Sequence, residues 1–229
     1  MDTSELENKI GVNFKDKSLI EQAVTHRSYL NENKDYKLPH NERLEFLGDA
    51  VLELVVTENL FEQFPARQEG ELTAIRAALV NTGSLAESAH DIGLNDFLLL
   101  SKGEAKDMGR ARQYILANTF EAVIGAIYLD QGYGEARDFI TRTILTKTPK
   151  IVKENLWQDA KSLFQEKAQE RSGVTPTYKT IREIGPDHAK KFEVGVYLGK
   201  ELVAKGDGFS KQEAEAEAAR KALEGKNWN

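Results

Sequence analysis

The sequence changes grammar once, and that change limits the architectures open to it. Up to about Thr146, apolar residues recur three and four positions apart, the spacing of helices with one buried face. After Trp157, runs of β-favouring residues with period-two alternation stand between two helical stretches. Such a chain folds as two units of different class, an all-α body followed by a smaller α+β one. Its 229 residues suffice for two cores.

In the first unit, Asp16 caps a short helix over Ser18–Val24. Asn41 caps a longer one in which Leu44, Leu47, Val51, Leu54 and Val55 form the apolar stripe, running to about Phe64 because Pro65 blocks continuation. Helices are expected over Leu72–Val80, over Leu85–Asp91 closing at Gly93, and over Arg110–Asp130 closing at Gly132. A last one begins near Gly134 and fades by Lys147. The domain boundaries read as 1–148, a linker at 149–156 where periodicity weakens around Pro149, and 157–229. The second unit reads α-β-β-β-α: a helix over Trp157–Arg171, strands over Thr177–Ile184, Lys191–Leu198 and Glu201–Lys205, and an Ala-rich helix capped by Ser210 and running through Leu223.

Composition excludes several function classes. No apolar stretch approaches the ~20 residues of a membrane span. The acidic start MDTSELENK is neither a signal peptide nor a transit peptide. Cysteine is absent, which removes disulfides and thiolate zinc sites and fits a cytoplasmic location. Net charge is −6, yet residues 1–156 carry −7 and residues 157–229 carry +1. The acidic excess sits wholly in the first unit, a division that fits metal chemistry in one half and polyanion contact in the other.

The segment HNERLEFLGDAVLELV places Glu42, Glu45 and Asp49 at i, i+3 and i+7, on one face of one helix. Glu45 and Asp49 are a like-charge i, i+4 pair, which costs a helix a few tenths of a kcal/mol. A solvated acidic face accounts for this pattern, and so does a site for a hard divalent cation. A second segment weighs toward the cation. In ILANTFEAVIGAIYLD, Asn118 and Glu121 are the polar i, i+3 pair in a stretch that is otherwise apolar nearly all round, the mark of a central helix. Packed against the first helix, they would face Glu45 and Asp49. Four oxygen donors from two rigid helices suit Mg²⁺ or Mn²⁺, which bind phosphate oxygens and activate water for in-line attack.

NERLEFLGDAVL resembles the signature of the ribonuclease III family, and THRSY at Thr25–Tyr29, the EGxLTxxRAxLV pattern at Glu69–Val80 and NTFEAVIGAIYLD are similar to further family segments. The likeness covers nearly the whole chain. It implies an all-α nuclease domain followed by a double-stranded-RNA-binding domain, working as a homodimer. The implied activity is metal-dependent hydrolysis of double-stranded RNA to 5′-phosphate products with short 3′ overhangs, with precursor RNAs such as rRNA as substrates. Glu45, Asp49 and Glu121 fall on family metal ligands, Glu42 and Glu69 on further acidic positions near the cleavage site, and Phe46 on an aromatic that packs across the dimer interface. An ordinary place in the chain's own core is the competing reading of Phe46. The family usually has Asp where this chain has Asn118. The amide oxygen still coordinates Mg²⁺, but the ligand set loses one negative charge. Weaker metal binding in a working enzyme, an engineered trap, and a homologue that binds structured RNA without cleaving it are all compatible with that residue.

The last segment, GDGFSKQEAEAEAARKAL above all, resembles a double-stranded-RNA-binding domain. The resemblance implies minor-groove contacts from Ser162, Gln165 and Glu166 on its first helix and from His188 in the loop GPDHAKKF. It implies phosphate contacts from Lys190, Lys191 and Lys211. Lys211 opens a helix whose N-terminus favours anions, and Gln212 stands where many members carry a second lysine. His26 and His40 read as structural hydrogen-bonding residues, because Mg²⁺ prefers oxygen.

Overall fold

The computed structural model describes residues 3–106, 109–185 and 190–228. The chain divides between Trp157 and Gln158 into two compact units.

The first unit is helical: α1 (Ser4–Ile10), α2 (Lys17–Ala23), α3 (Arg27–Glu32), α4 (Glu42–Gln63), α5 (Glu69–Val80), α6 (Thr82–Asp91), α7 (Lys102–Lys106), α8 (Arg110–Gln131), α9 (Tyr133–Thr143) and α10 (Thr148–Lys153). Its one isolated β-bridge among the described residues joins Thr25 to Leu99. α8 is the central helix: Phe120, Val123, Ile124, Ala126 and Ile127 are fully buried. A helix apolar nearly all round must be covered on all sides, and α2, α4, α6 and α9 cover it.

Several local readings need amendment. The Asp16 side chain does cap α2, accepting from the Ser18 N–H at 2.9 Å. Asn41 precedes α4 but does not cap it: its buried side chain donates to the Ala23 carbonyl at 3.1 Å, tying α4 to α2 instead. α5 begins three residues before Leu72, because Gln68 and Glu71 form a capping box. The stretch read as a linker is largely helix. α10 covers Thr148–Lys153, Ile151 is buried in the first unit's core, and Trp157 packs against that core with the Arg67 guanidinium 5.3 Å from its ring.

The second unit is α11 (Ala160–Ser172), β1 (Thr177–Ile184), β2 (Lys191–Leu198), β3 (Glu201–Gly208) and α12 (Lys211–Lys226). The sheet is antiparallel in the order β1-β2-β3. Thr177 pairs with Tyr197 and Ile184 with Lys191, then Phe192 with Gly208. α11 starts at Ala160 rather than Trp157, capped by Asp159, and β3 continues to Gly208. The alanines of α12 have a packing reason. A Cβ on Gly206 of β3 would stand 2.3 Å from the Ala214 carbonyl oxygen, so only glycine opposite a small-residue face lets helix and strand come this close. Phe164, Val196, Ala218, Ala219, Ala222 and Leu223 form this unit's core.

Candidate nuclease site and RNA interface

α4 and α8 cross with their backbones in contact at Gly48 and Gly125. That crossing brings Glu45 and Asp49, which flank Gly48 on α4, beside Glu121 and Asn118, one and two turns before Gly125 on α8. The Asn118 amide donates to the Glu45 carboxylate. Burial, followed by the charges of Asp49, Glu45 and Glu53, pushes the Glu121 carboxyl up to about 7. Burial also raises Glu45, with the Glu42 and Asp49 charges adding to the shift and the Asn118 hydrogen bond opposing it. Asn118 and Asp49 are exposed and Glu45 and Glu121 half-buried, so the group opens to solvent.

The carboxylates stand close enough to repel one another without forming a finished coordination shell. Among the described residues, no three His, Cys, Asp or Glu side chains gather tightly enough to hold a metal ion. The donor chemistry nevertheless fits a hard cation: every donor is oxygen, two rigid helices carry them, and the negative charge of neighbouring acids is gathered around half-buried Glu121.

Of the other acidic positions, Glu42 borders the group, its charge acting on Glu45, and Glu69 lies apart. Glu42 faces Arg27 at 3.5 Å and the His40 Nδ1 at 3.8 Å. Glu69, in the first turn of α5, accepts from the Thr73 hydroxyl at 3.0 Å and is not among the charges acting on Glu45 or Glu121. Phe46 is 81% exposed and has no place in the chain's own core. Glu53 was missed in the sequence, although it continues the i, i+4 row of Glu45 and Asp49. Arg76 of α5 pairs with it at 2.9 Å. His26 caps α3, its Nδ1 accepting from the Ser28 N–H at 3.3 Å.

In the second unit, Ser162, Gln165 and Glu166 lie exposed along one side of α11. His188 falls outside the described residues. Lys190 Nζ and Lys211 Nζ approach the same carboxylate, that of Glu183 at the end of β1, at 3.7 Å and 3.3 Å. Lys191 Nζ lies 5.1 Å over the Phe209 ring. Ser210 caps α12, accepting from the Glu213 N–H at 3.1 Å, so Lys211 and Gln212 occupy its first turn.

Comparison with known proteins agrees with both units. Residues 16–148 match the family model described as Ribonuclease-III-like, and residues 160–225 match the double-stranded RNA binding motif. The chain is 44% identical to Ribonuclease 3 of Nitratiruptor over 96% of this chain and 94% of the relative. It is 47% identical to Ribonuclease 3 of Carboxydothermus hydrogenoformans over 96% of this chain and 93% of the relative. The solved nuclease domain of ribonuclease III from Campylobacter jejuni, described for flexibility in a region involved in dimer formation, superposes with a TM-score of 0.58 at 43% identity. That match covers 65% of this chain and 99% of that one. On the full-length identity and the two domain matches, this chain belongs to the ribonuclease III family of endoribonucleases, with a nuclease domain followed by a double-stranded-RNA-binding domain.

Proposed function

We propose that the chain cleaves double-stranded RNA by divalent-metal-dependent hydrolysis, leaving 5′-phosphates and short 3′ overhangs, on precursor RNAs such as rRNA in the cytoplasm. The observation that carries this reading is the meeting of Glu45, Asp49, Asn118 and Glu121 at the α4–α8 crossing. These four residues would hold Mg²⁺, with Mn²⁺ as a substitute. When bound, the ion supplies charge neutralisation at the phosphate and a nucleophile from water, so no protein nucleophile is needed. Helix α8 fixes Asn118 and Glu121 on a buried backbone, so neither donor has to be ordered when RNA arrives. Asn118 orients the Glu45 carboxylate through its amide, and the exposed side of the group leaves room for a phosphate.

The nuclease unit works as a homodimer in this reading. Phe46, Leu54 and Phe61 are 81%, 56% and 72% exposed and fall on one side of α4, an apolar face the chain itself leaves uncovered. The RNA-binding unit grips the duplex through α11, the loop after β1 and the first turn of α12. Duplex RNA is read by shape, 2′-hydroxyls and phosphates, which suits this mixture of polar and basic groups.

One experiment separates the working enzyme from a homologue that binds without cleaving: cutting of a long RNA duplex across Mg²⁺ and Mn²⁺ titrations, by this chain and by Asn118→Asp. Cleavage by both, with the variant needing less metal, is expected. Binding without cleavage by this chain, restored in the variant, establishes the non-cleaving reading. Failure of both to cleave refutes the metal-site assignment.

A further inference from the structure

Glu183 is an acid in the middle of the cations assigned to phosphate. Its carboxylate stands 3.3 Å from Lys211 and 3.7 Å from Lys190; Glu183 and Lys211 sit on β1 and α12, whose positions are fixed by the sheet and by the glycine-mediated packing of the helix, and Lys190 immediately precedes β2. Lys211 is held from a second direction, its ammonium 5.7 Å over the ring of Phe192, the residue paired with Glu183 across β1 and β2. All three charged side chains remain solvent-accessible. Exposed ion pairs of this kind contribute little to stability, so fold stability alone gives no reason for a carboxylate here.

We infer that Glu183 is an intrachain stand-in for an RNA phosphate: it occupies Lys211 and Lys190 in the free protein and must give them up when a duplex binds. A single anion exchanging with Glu183 replaces one negative partner with another and gains little. A duplex that also engages α11 pays the same exchange and gains the remaining contacts. The carboxylate therefore lowers affinity for isolated anions and lets shape, rather than charge alone, decide what is held. This inference rests on the reading of Lys211 as a phosphate contact.

The test is binding of a fluorescently labelled RNA duplex to the full chain without divalent metal, measured by anisotropy across a salt series. The proteins are this chain, Glu183→Gln, Lys211→Ala and the double variant. Glu183→Gln is expected to tighten binding about three- to fivefold near 0.1 M salt. It should also steepen the log–log salt dependence by about one, because a lysine no longer neutralised in the free protein now releases a counterion of its own. In the Lys211→Ala background the gain should fall to less than half on a logarithmic scale, whereas repulsion acting through space alone would leave it whole. Unchanged or weaker binding by Glu183→Gln, with Lys211→Ala weakened, overturns the stand-in role. Unchanged binding by Lys211→Ala overturns the phosphate contact itself, a separate failure.

Discussion

Gly48 of α4 and Gly125 of α8 replace side-chain packing with backbone contact at the helix crossing. A Cβ on Gly48 would stand 1.8 Å from the Glu121 carbonyl oxygen, and one on Gly125 would stand 2.2 Å from that of Leu44. Neither clash can be relieved by a rotamer change, because the obstructing atoms are main chain. Alanine at either position must push the helices apart, at a cost of about 3 kcal/mol or more in a close-packed core. Gly48→Ala is therefore expected to lower the thermal midpoint by about 6 °C or more and to reduce cleavage beyond what the folded fraction explains, since Glu45 and Asp49 retreat from Asn118 and Glu121. Calorimetry beside cleavage rates measured well below the transition checks this. A variant with native melting would mean that the crossing is looser than the geometry shows.

Asn118 serves the metal-free protein at the expense of charge in the site. Its amide donates to Glu45, whose carboxyl burial and neighbouring acids already push upward. Asn118→Asp removes that donor and adds a like charge, so the metal-free variant should be less stable by about 1 kcal/mol, or roughly 2–4 °C. Ligand binding to the native state stabilises it by mass action. The variant should therefore gain more from Mg²⁺ than this chain does, with the two melting curves crossing as the ion is added. Melts in chelator and across a Mg²⁺ series read this out directly, and equal gains for the two proteins would remove residue 118 from the ligand set.

The long helices were legible in the sequence because their apolar spacing is local: α4, α8 and the strands β1 and β2 lie close to where periodicity places them. What escaped depended on partners distant in the chain. α1 and α3 are too short to show a period, and α10 is held by the burial of Ile151 rather than by its own pattern. Asn41 has the right identity for a cap, but the Ala23 carbonyl claims its side chain. In the site, one-helix spacing put Glu45 with Asp49 and Asn118 with Glu121. Nothing local announced that Gly48 and Gly125 bring the pairs together, although glycine in the middle of two apolar helices costs about 1 kcal/mol each and asks for a reason.

Phe46 tests the assembly. It is 81% exposed, so its removal costs the protomer little packing. In an apolar dimer contact an aromatic anchor is worth about 2 kcal/mol or more, and two-fold symmetry removes it twice. Phe46→Ala should therefore weaken self-association by about a thousandfold while circular dichroism stays native. Light scattering across a dilution series checks this, and an unchanged dimer would move the interface off this face of α4.

Glu7 gives the first unit a dependence on acid that is independent of the acidic group at the α4–α8 crossing. It is 3% exposed, and one carboxylate oxygen accepts from the Phe14 N–H at 2.6 Å and from Lys17, while the Thr3 hydroxyl donates to the other at 3.3 Å. Burial alone would raise its pKa, but the Lys17 ammonium and the Phe14 and Thr3 hydrogen bonds outweigh burial and hold it below the ordinary 4.5. A folded-state value below the unfolded one means that the contribution is complete above about pH 4.5 and is lost as pH falls through the folded value. Glu7→Gln keeps the shape but forfeits the charge-assisted bonds. It should cost about 2 kcal/mol at pH 7, with the deficit shrinking steadily below pH 4.5. Denaturant unfolding of both proteins between pH 7 and pH 3 measures the difference curve. A deficit that stays constant across that range would show that Glu7 packs without being held ionised.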